Sequence, residues 1–396
     1  MKVKSVVVLL VCLIPVMVMG QDKTYTVEVK DGVRYVYNEK PLWGDEPKIR
    51  LVLVGHLGEF DSDDENFMFY NPSDIAGDTE GNLYVLDAGT CRVQKFDKKG
   101  RYLDTFGREG EGPAEFVYFE SDNKYIDIDL NGNIYVSEPY RSIIQVLTPK
   151  GKWMRTVRIV SSGLRHYVLS TGEILIMNPN LNGGRGLSKG NVPLLRILDE
   201  EGKTKREIGQ GIYFTKFPES TGGNRLLIST DKDDYIYTSF LFQNRIEKYA
   251  IDGKHVFTAE RPLPSERLTS KDPDLYATIT QGIGVDDKGR ICVISKKRYT
   301  RREESLTPNA KYDDNGRLIR TADEILESMK RKWPDLSVLL TETDMYVLEL
   351  FTSEGILLYK FPLTHFCDGL RIIDNRIYIL DKNRTMQFYI YEIIEN

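Results

Sequence analysis

A short apolar segment recurs six times along this chain, each time directly after a turn. The clearest copy is Gly81-Asn-Leu-Tyr-Val-Leu-Asp87, and the others begin at Gly132, Gly172, Asp234, Gly289 and Asn375. A more amphipathic segment follows, and in the first four repeats it ends at glycines 51 residues apart: Gly100, Gly151, Gly202 and Gly253. A repeat of this length that contains about four strands is typical of one β-propeller blade.

The recurring segments are apolar runs rather than alternating patterns, as in Leu83-Tyr-Val-Leu86. Such a run indicates a strand that is covered on both faces, which is the condition of a central strand between stacked blades. The segment that follows alternates, as in Arg92-Val-Gln-Lys-Phe96, and is typical of a half-exposed strand. The sequence therefore predicts an all-β, six-bladed β-propeller.

The two ends of the chain predict how the ring closes. Residues 49–58 parallel the outer-strand segment at residues 102–107 but have no blade of their own, and residues 386–394 form a third strand without an outer partner. We expect residues 51–54 to complete the last blade, because this pairing removes an open sheet edge.

The first two repeats resemble the NHL-like six-bladed propellers that Bacteroidetes export. The resemblance rests on Asn71-Pro-Ser-Asp-Ile-Ala-Gly-Asp78, residues 80–89, Arg92-Val-Gln-Lys-Phe-Asp97 and residues 106–116. It implies the propeller fold and a binding or scaffolding role. Repeats three to five depart from the pattern through insertions and lost glycines.

Residues 1–20 are typical of a cleaved signal peptide, in which Lys2 and Lys4 precede an apolar run that is too short to span a membrane. Cys12 does not fit a lipoprotein signal, because Val11 stands where a small residue is required and an apolar stretch follows. We expect an exported protein, periplasmic or extracellular, with no transmembrane segment in the mature chain. Residues 21–48 are then an N-terminal extension, and residues 49–396 are the propeller.

Charge and cysteine content restrict the partners. The formal net charge of the chain is −5, and loss of Lys2 and Lys4 makes it more negative. An acidic surface excludes nucleic acid as the expected partner, so we expect a protein, a peptide or a glycan of the cell envelope. The cysteines outside the signal peptide, Cys91, Cys292 and Cys367, are scattered, which excludes a disulfide framework and a zinc ribbon.

Two insertions fall at joints between second and third strands, at about residues 179–191 and 296–344. In an up-and-down blade these joints share one face with the connections between blades, and long loops on a rigid scaffold often carry binding. The larger insertion contains a predicted short helix in blade 5, which begins at a capping box of Thr321 and Glu324 and ends at Pro334. The helix would pack on the rim or cover the central channel.

This insertion-bearing face is where we expect a ligand or partner to bind. The candidate contacts combine aromatic and cationic side chains at second-to-third-strand joints, and they are Tyr140, Arg141, Phe242, Arg298 and Tyr299.

A calcium-loop pattern also occurs, in the segment that runs from Asp127 through Asp129 and Asn131-Gly132 to Glu138. An EF-hand needs flanking helices, whereas Asn131-Gly132 is typical of a hairpin turn and a strand follows it. The sequence therefore favours a turn, and no cofactor is predicted.

The alternative function is a metal-dependent lyase or lactonase-like hydrolase with its site at the central channel. Propeller lyases hold zinc through histidines of different blades, and propeller lactonases hold calcium. Of the four histidines, His166 and His365 lie near predicted innermost strands, whereas His56 and His255 lie on outer strands. Two histidines without a third ligand make a poor zinc site, so the sequence favours a non-catalytic module with no catalytic residues.

Overall fold

The computed structural model describes residues 23–59, 62–118, 124–159, 165–182, 192–212, 223–262, 278–298, 300–301, 304, 311–312, 318–319 and 340–395. These residues form β-strands and two 3-10 turns, without an α-helix among them. Accordingly, no helix in this part of the chain has the length and apolarity that a bilayer crossing requires. The predicted signal peptide, residues 1–20, lies outside the described residues.

The described chain begins with β1 (Tyr25–Lys30), β2 (Val33–Asn38) and β3 (Ile49–Leu57). Three four-stranded blades follow in chain order. Blade 1 is β4 (Pro72–Gly77), β5 (Leu83–Asp87), β6 (Arg92–Phe96) and β7 (Tyr102–Phe106). Blade 2 is β8 (Ile126–Ile128), β9 (Ile134–Glu138), β10 (Ile143–Leu147) and β11 (Trp153–Arg158). Blade 3 is β12 (His166–Val168), β13 (Ile174–Met177), β14 (Leu195–Leu198) and β15 (Thr204–Ile208).

The second half of the chain supplies the other three blades. Blade 4 is β16 (Leu226–Thr230), β17 (Ile236–Phe240), β18 (Ile246–Tyr249) and β19 (His255–Glu260). In blade 5, β20 (Thr280–Val285) and β21 (Ile291–Lys296) are followed, after β22 (Lys311–Tyr312) and β23 (Leu318–Ile319) in the insertion, by β24 (Glu342–Phe351) and β25 (Leu357–His365). Blade 6 contains β26 (Gly369–Ile373), β27 (Arg376–Asp381) and β28 (Gln387–Glu395).

In most pairs of neighbouring blades, the first strand of one blade contacts the first strand of the next. The first strands therefore surround the axis of the ring. The recurring apolar segments are the second strands. Every residue of β5, β9 and β17 is buried, whereas the outer strands β7 and β11 are largely exposed. The all-β six-bladed propeller predicted from the repeat is thereby confirmed.

Asp129 of the calcium-like pattern belongs to a turn that repeats between blades, whereas Asp127 lies on β8 and Glu138 on β9. Asp129 Oδ1 accepts hydrogen bonds from the Asn131 and Asn133 amides at 2.9 and 2.8 Å. In blade 1, Asp78 Oδ1 accepts from the amides of Glu80 and Asn82 at 3.0 and 2.9 Å. The carboxylates are thus used to hold the turn between the first and second strands.

The outer strand of blade 6 comes from the N-terminal part of the chain. Strand β3 pairs antiparallel with β28, in a register that runs from Glu395 opposite Ile49 to Phe388 opposite Leu57. The ring is therefore closed by hydrogen bonds between segments at opposite ends of the described sequence, and blade 6 obtains four strands like the others.

Residues 25–48, which we call the N-terminal strap, run along the outside of blades 4 and 5. Strand β2 pairs parallel with β19 and extends blade 4 to a six-stranded sheet. The Leu42 amide then donates to the Leu357 carbonyl at 2.9 Å, on blade 5. The sequence predicted an extension here but not its pairing with these two blades.

The insertions are only partly described. The larger one lies between β21 and β24 and contains the short pair of β22 and β23. The helix predicted from Thr321 to Pro334 lies outside the described residues, so the described structure contains no helical insertion. The smaller insertion begins with a 3-10 turn, Pro179–Asn182, and its residues 183–191 are also outside the described part.

Glycine allows the inner strands of blades 5 and 6 to approach closely. A Cβ atom built on Gly282 of β20 would lie only 2.4 Å from Leu370 Cβ of β26. We expect Gly282→Ala to lower the free energy of unfolding by about 1–3 kcal/mol, because the methyl group overpacks this contact. The measurement is the urea-unfolding midpoint of the purified protein.

The matched control is Gly55→Ala on β3, because a Cβ atom there would meet nothing within 4 Å. This variant should unfold within about 0.5 kcal/mol of the wild type. Equal effects of the two substitutions would contradict the close approach of the inner strands.

Candidate functional site

The inner strands carry several charged or titratable side chains. Asp74 lies on β4, Asp127 on β8, His166 on β12 and Arg371 on β26, while Arg165 directly precedes β12. These residues come from blades 1, 2, 3 and 6. Because the inner strands surround the axis, the fold brings these side chains toward one another at the centre of the ring.

Arg371 and Asp74 form a bidentate ion pair. Arg371 Nε lies 3.0 Å from Asp74 Oδ1, and Arg371 Nη2 lies 2.9 Å from Asp74 Oδ2. The same Nη2 donates to the Ile126 carbonyl of blade 2 at 2.8 Å, and the guanidinium lies 4.6 Å from the Tyr167 ring centroid of blade 3. Asp74 is 1% exposed, so the pair is almost fully removed from water.

Arg165 binds the same carboxylate. Its Nη2 lies 3.0 Å from Asp74 Oδ1, and its Nη1 lies 3.4 Å from the Leu370 carbonyl of blade 6. Blades 3 and 6 are opposite each other in a ring of six, so this side chain crosses the axis. We call Asp74, Arg165 and Arg371 the central plug.

The charges of the central plug support one another. Burial would raise the pKa of Asp74, but Arg165 and Arg371 outweigh it and hold this pKa below its ordinary value. Burial opposes the charge on Arg371, yet Asp74 raises its pKa above the ordinary value. Asp74 and Arg371 therefore remain ionised at neutral pH.

Asp127 and His166 lie beside the plug, and there burial favours the neutral form of each side chain. Burial raises the pKa of Asp127 to about 6, against the effects of Arg371 and of the Val168 amide, which donates to Asp127 Oδ2 at 2.7 Å. Burial and the charge of Arg371 lower the pKa of His166 to about 3. His166 is therefore neutral at physiological pH, and neither ring nitrogen has a hydrogen-bond partner among the described residues.

The structure does not bring the two histidines of the metal alternative together. His365 lies on β25, the outer strand of blade 5, where it stacks on Tyr389 with a centroid distance of 3.8 Å. The proximity of His365 to an innermost strand in the sequence was therefore misleading. The described residues contain no group of three histidine, cysteine or carboxylate side chains that could hold a metal ion.

Further charged groups lie at the end of the channel on the insertion-bearing face, which we call the insertion-side mouth and define by Tyr125, Arg165, Lys296 and Asp368. The Arg165 guanidinium lies 5.2 Å from the Tyr125 ring centroid, and its Nη2 lies 4.0 Å from a Cβ atom built on Gly369, the neighbour of Asp368. These contacts link blades 2, 3 and 6 around the axis.

Asp368 and Lys296 are enclosed by protein but accessible to water. Asp368 has an exposed surface, yet burial raises the pKa of its carboxyl group. Burial lowers the pKa of Lys296, and the charges of Asp368 and Glu304 only partly oppose this shift. Shifted pKa values of accessible groups are typical of functional sites.

The ligand contacts expected from the sequence lie farther from the axis, on three blades. Tyr140 is 64% exposed, and its neighbour Arg141 lies 3.0 Å from Glu138 within blade 2. Phe242 is half-buried in blade 4, and Arg298 forms ion pairs with Glu304 and Asp344 in blade 5. Tyr299 lies outside the described residues. The arginines are thus held by carboxylates of their own blades.

Sequence reasoning missed the inner-strand charges. A signal for them exists, because Asp74, Asp127 and Arg371 each interrupt an apolar segment directly before a repeated turn. A charged residue in a strand that must be buried needs a partner, and three such residues in equivalent strands indicate that they meet.

Comparisons with known proteins support the fold. A sequence model of the family DUF5128, described as a 6-bladed beta-propeller, matches residues 63–153, which comprise blade 1 and most of blade 2. No curated protein matches the chain.

Solved structures share the architecture at low sequence identity. A predicted exported protein from Bacteroides fragilis is 10% identical with a TM-score of 0.53, and the alignment covers 91% of this chain and 99% of that one. A duf4221 family member from Bacteroides vulgatus is 10% identical with a TM-score of 0.53, over 88% and 99%. Virginiamycin B lyase from Staphylococcus aureus is 12% identical with a TM-score of 0.42, over 87% and 99%. At these identities the first two likenesses show the propeller fold alone.

The opposite pKa shifts of two inner-strand carboxylates predict opposite effects of the same substitution. Because the pKa of Asp127 is raised in the folded protein, its charge makes the fold less stable as pH rises from about 4 to about 6. We expect Asp127→Asn to raise the free energy of unfolding by about 1–2 kcal/mol near pH 7.5, and the gain to vanish near pH 4. Urea unfolding at both pH values measures this.

Asp74→Asn is the matched comparison. The pKa of Asp74 is lowered, so its contribution is present above about pH 4 and is lost as pH falls further. Its replacement leaves Arg371 and Arg165 without a carboxylate in the plug and should cost about 3–5 kcal/mol near pH 7.5. If Asp127→Asn and Asp74→Asn lowered the free energy of unfolding equally, the opposite pKa shifts of the two carboxyl groups would be contradicted.

Proposed function

We propose that this protein is an exported, non-catalytic binding or scaffolding propeller that recognises a ligand or partner on its insertion-bearing face. The observation that carries the proposal is the convergence of charged side chains from blades 3, 5 and 6 at the insertion-side mouth. Lys296 and Asp368 supply both signs of charge there, beside Arg165 of the central plug, so a polar peptide or glycan fits this surface better than a purely apolar one.

The central plug supports binding at the mouth rather than chemistry within the channel. Arg165 and Arg371 cross the axis and are held by Asp74 and by backbone carbonyls. A reaction at this level would need room for a substrate and groups free to exchange protons. The carboxylate of the plug is already bound by the guanidinium groups of Arg165 and Arg371.

The outer joint residues extend the proposed surface. Tyr140, Arg141, Phe242 and Arg298 belong to the same face, and in this proposal they and Tyr299, which lies outside the described residues, contact the outer parts of a larger partner. Export is supported by the signal-peptide pattern of residues 1–20 and is consistent with the description of the Bacteroides fragilis neighbour.

The alternative is a metal-dependent lyase or lactonase-like hydrolase at the channel, and one observation favours it. The ring nitrogens of His166 are buried and have no partner in the described part of the chain, and Asp127 close to the plug titrates at about 6. A zinc site would need two further protein ligands, because catalytic zinc usually has three.

Carboxyl footprinting tests the binding surface. The purified protein is labelled with a carbodiimide and glycine ethyl ester, alone or with a small-molecule extract or the protein fraction of a bacterial envelope. We expect labelling of Asp368 to fall severalfold with one of these fractions, because the bound partner covers the mouth.

Glu201 is the matched control, since its side chain is 69% exposed on a turn of the opposite face. Its labelling should not change, and Asp368→Asn should weaken retention of the protective fraction whereas Glu201→Gln should not. Protection of Glu201 without protection of Asp368, or protection by neither fraction, would reject the proposal.

Metal content separates the two functions. Inductively coupled plasma mass spectrometry on protein purified without chelators or a histidine tag should find no stoichiometric zinc or calcium. A bound metal that is lost in His166→Gln and retained in His365→Gln would overturn the binding proposal, because only His166 faces the plug.

A further inference from the structure

A groove on the outer part of blade 2 lies away from the insertion-side mouth. Its volume is about 600 Å³, and it follows β10 and β11 from the joint between the second and third strands toward the opposite face. A strand of this length spans about 16 Å. The groove is lined by Arg141, Ile143, Trp153, Arg155, Thr156 and Arg158.

The lining is cationic. The described residues that line it supply three guanidinium groups and no carboxylate. Glu138 balances the charge of Arg141, whereas Arg155 donates to the neutral Glu200 carbonyl. Neither Arg155 nor Arg158 has an ion-pair partner among the described residues, and Arg158 is exposed. An anionic group that enters the groove therefore meets positive charge that the described protein does not neutralise.

Trp153 supplies an aromatic surface beside these charges. The side chain is 44% exposed, and its indole Nε1 donates to Thr156 Oγ1 at 3.3 Å. This hydrogen bond holds the ring in one orientation, so a ligand that stacks on it does not have to order it first. Ile143 forms a small apolar floor below.

We propose that this groove binds an acidic oligosaccharide, with carboxylate or sulfate groups on the arginines and a sugar ring against Trp153. Guanidinium groups bind such oxyanions in a planar, bidentate manner, and an amphipathic ring suits an aromatic face. The volume fits a short segment of a chain. A nucleic acid fits less well, because its phosphates require an extended basic surface and the whole chain is acidic.

The proposal goes beyond the binding face described above and is tested separately from it. Calorimetric titrations use a hexagalacturonate, a sulfated hexasaccharide, the neutral maltohexaose and a hexaglutamate peptide. At least one acidic oligosaccharide should bind with an affinity that falls as salt increases, and the response to carboxylate and sulfate distinguishes the two anionic groups. Maltohexaose and hexaglutamate should bind at least about tenfold more weakly.

Arg158→Gln and Trp153→Ala should each weaken oligosaccharide binding by about tenfold, because one removes a charged donor and the other the stacking surface. Arg101→Gln is the charge control, since Arg101 is 77% exposed beside the outer strand of blade 1. Met154→Ala is the apolar control, since Met154 is 45% exposed next to Trp153 but does not line the groove. Thermal unfolding confirms that all four variants are folded.

Three results would overturn the proposal. Neither acidic oligosaccharide binds, maltohexaose binds as tightly as the acidic oligosaccharides, or Arg101→Gln and Met154→Ala weaken binding as much as Arg158→Gln and Trp153→Ala. Tighter binding of hexaglutamate would assign the groove to acidic peptides instead. Asp368→Asn at the mouth should leave oligosaccharide binding unchanged, so a failure here does not bear on the proposed function of the mouth.

Discussion

The structure depends on the burial of both faces of each second strand. Strand β5 is apolar from Leu83 to Leu86, and these residues are shielded only when blades stand on either side of them. A blade at the end of an open array would leave one face in water, so the stack must return to its beginning. The pairing of β3 with β28 joins the ends, and the N-terminal strap follows the outer edges of blades 4 and 5 on the way. The termini thus act as structural elements of the ring.

Closure of the ring also determines the environment of the charged side chains on the inner strands. Six inner strands converge there, and any charge that they carry is removed from water. Desolvation of an unpaired charge is expensive, so such groups either neutralise or find partners. Both outcomes occur within one cluster. Asp74 remains ionised between two arginines, whereas burial raises the pKa of Asp127 and keeps His166 neutral. The same cluster connects blades 1, 3 and 6 through ion pairs at the axis.

The repeat predicted the blades because its signal is local. Apolar runs indicate second strands, alternation indicates third strands, and the period of the repeat indicates the ring.

The central plug could not be predicted from the repeat, because Asp74 and Arg371 are 297 residues apart and meet only when the ring closes. His365 precedes an inner strand in the sequence but lies on the outer strand before it, which pattern reasoning did not resolve. The N-terminal strap has no repeat partner, so only the fold reveals where β2 pairs. Arg141 was proposed as a contact from its position at a joint, whereas Arg155 and Arg158 are ordinary outer-strand residues in the sequence.

The arginines of the central plug and those of the groove on blade 2 have different surroundings. At the axis, Arg165 and Arg371 bind Asp74 and backbone carbonyls, and their charges are balanced by the fold itself. On blade 2, neither Arg155 nor Arg158 has a carboxylate partner in the described part of the chain: Arg155 donates to the Glu200 carbonyl and the Tyr135 hydroxyl, and Arg158 is exposed. A guanidinium that stays hydrated needs no internal partner, so this charge persists without a large cost to stability. Changes at the axis therefore act mainly on folding, while the charge on the outer strand can change with little effect on the fold and remains available to a ligand.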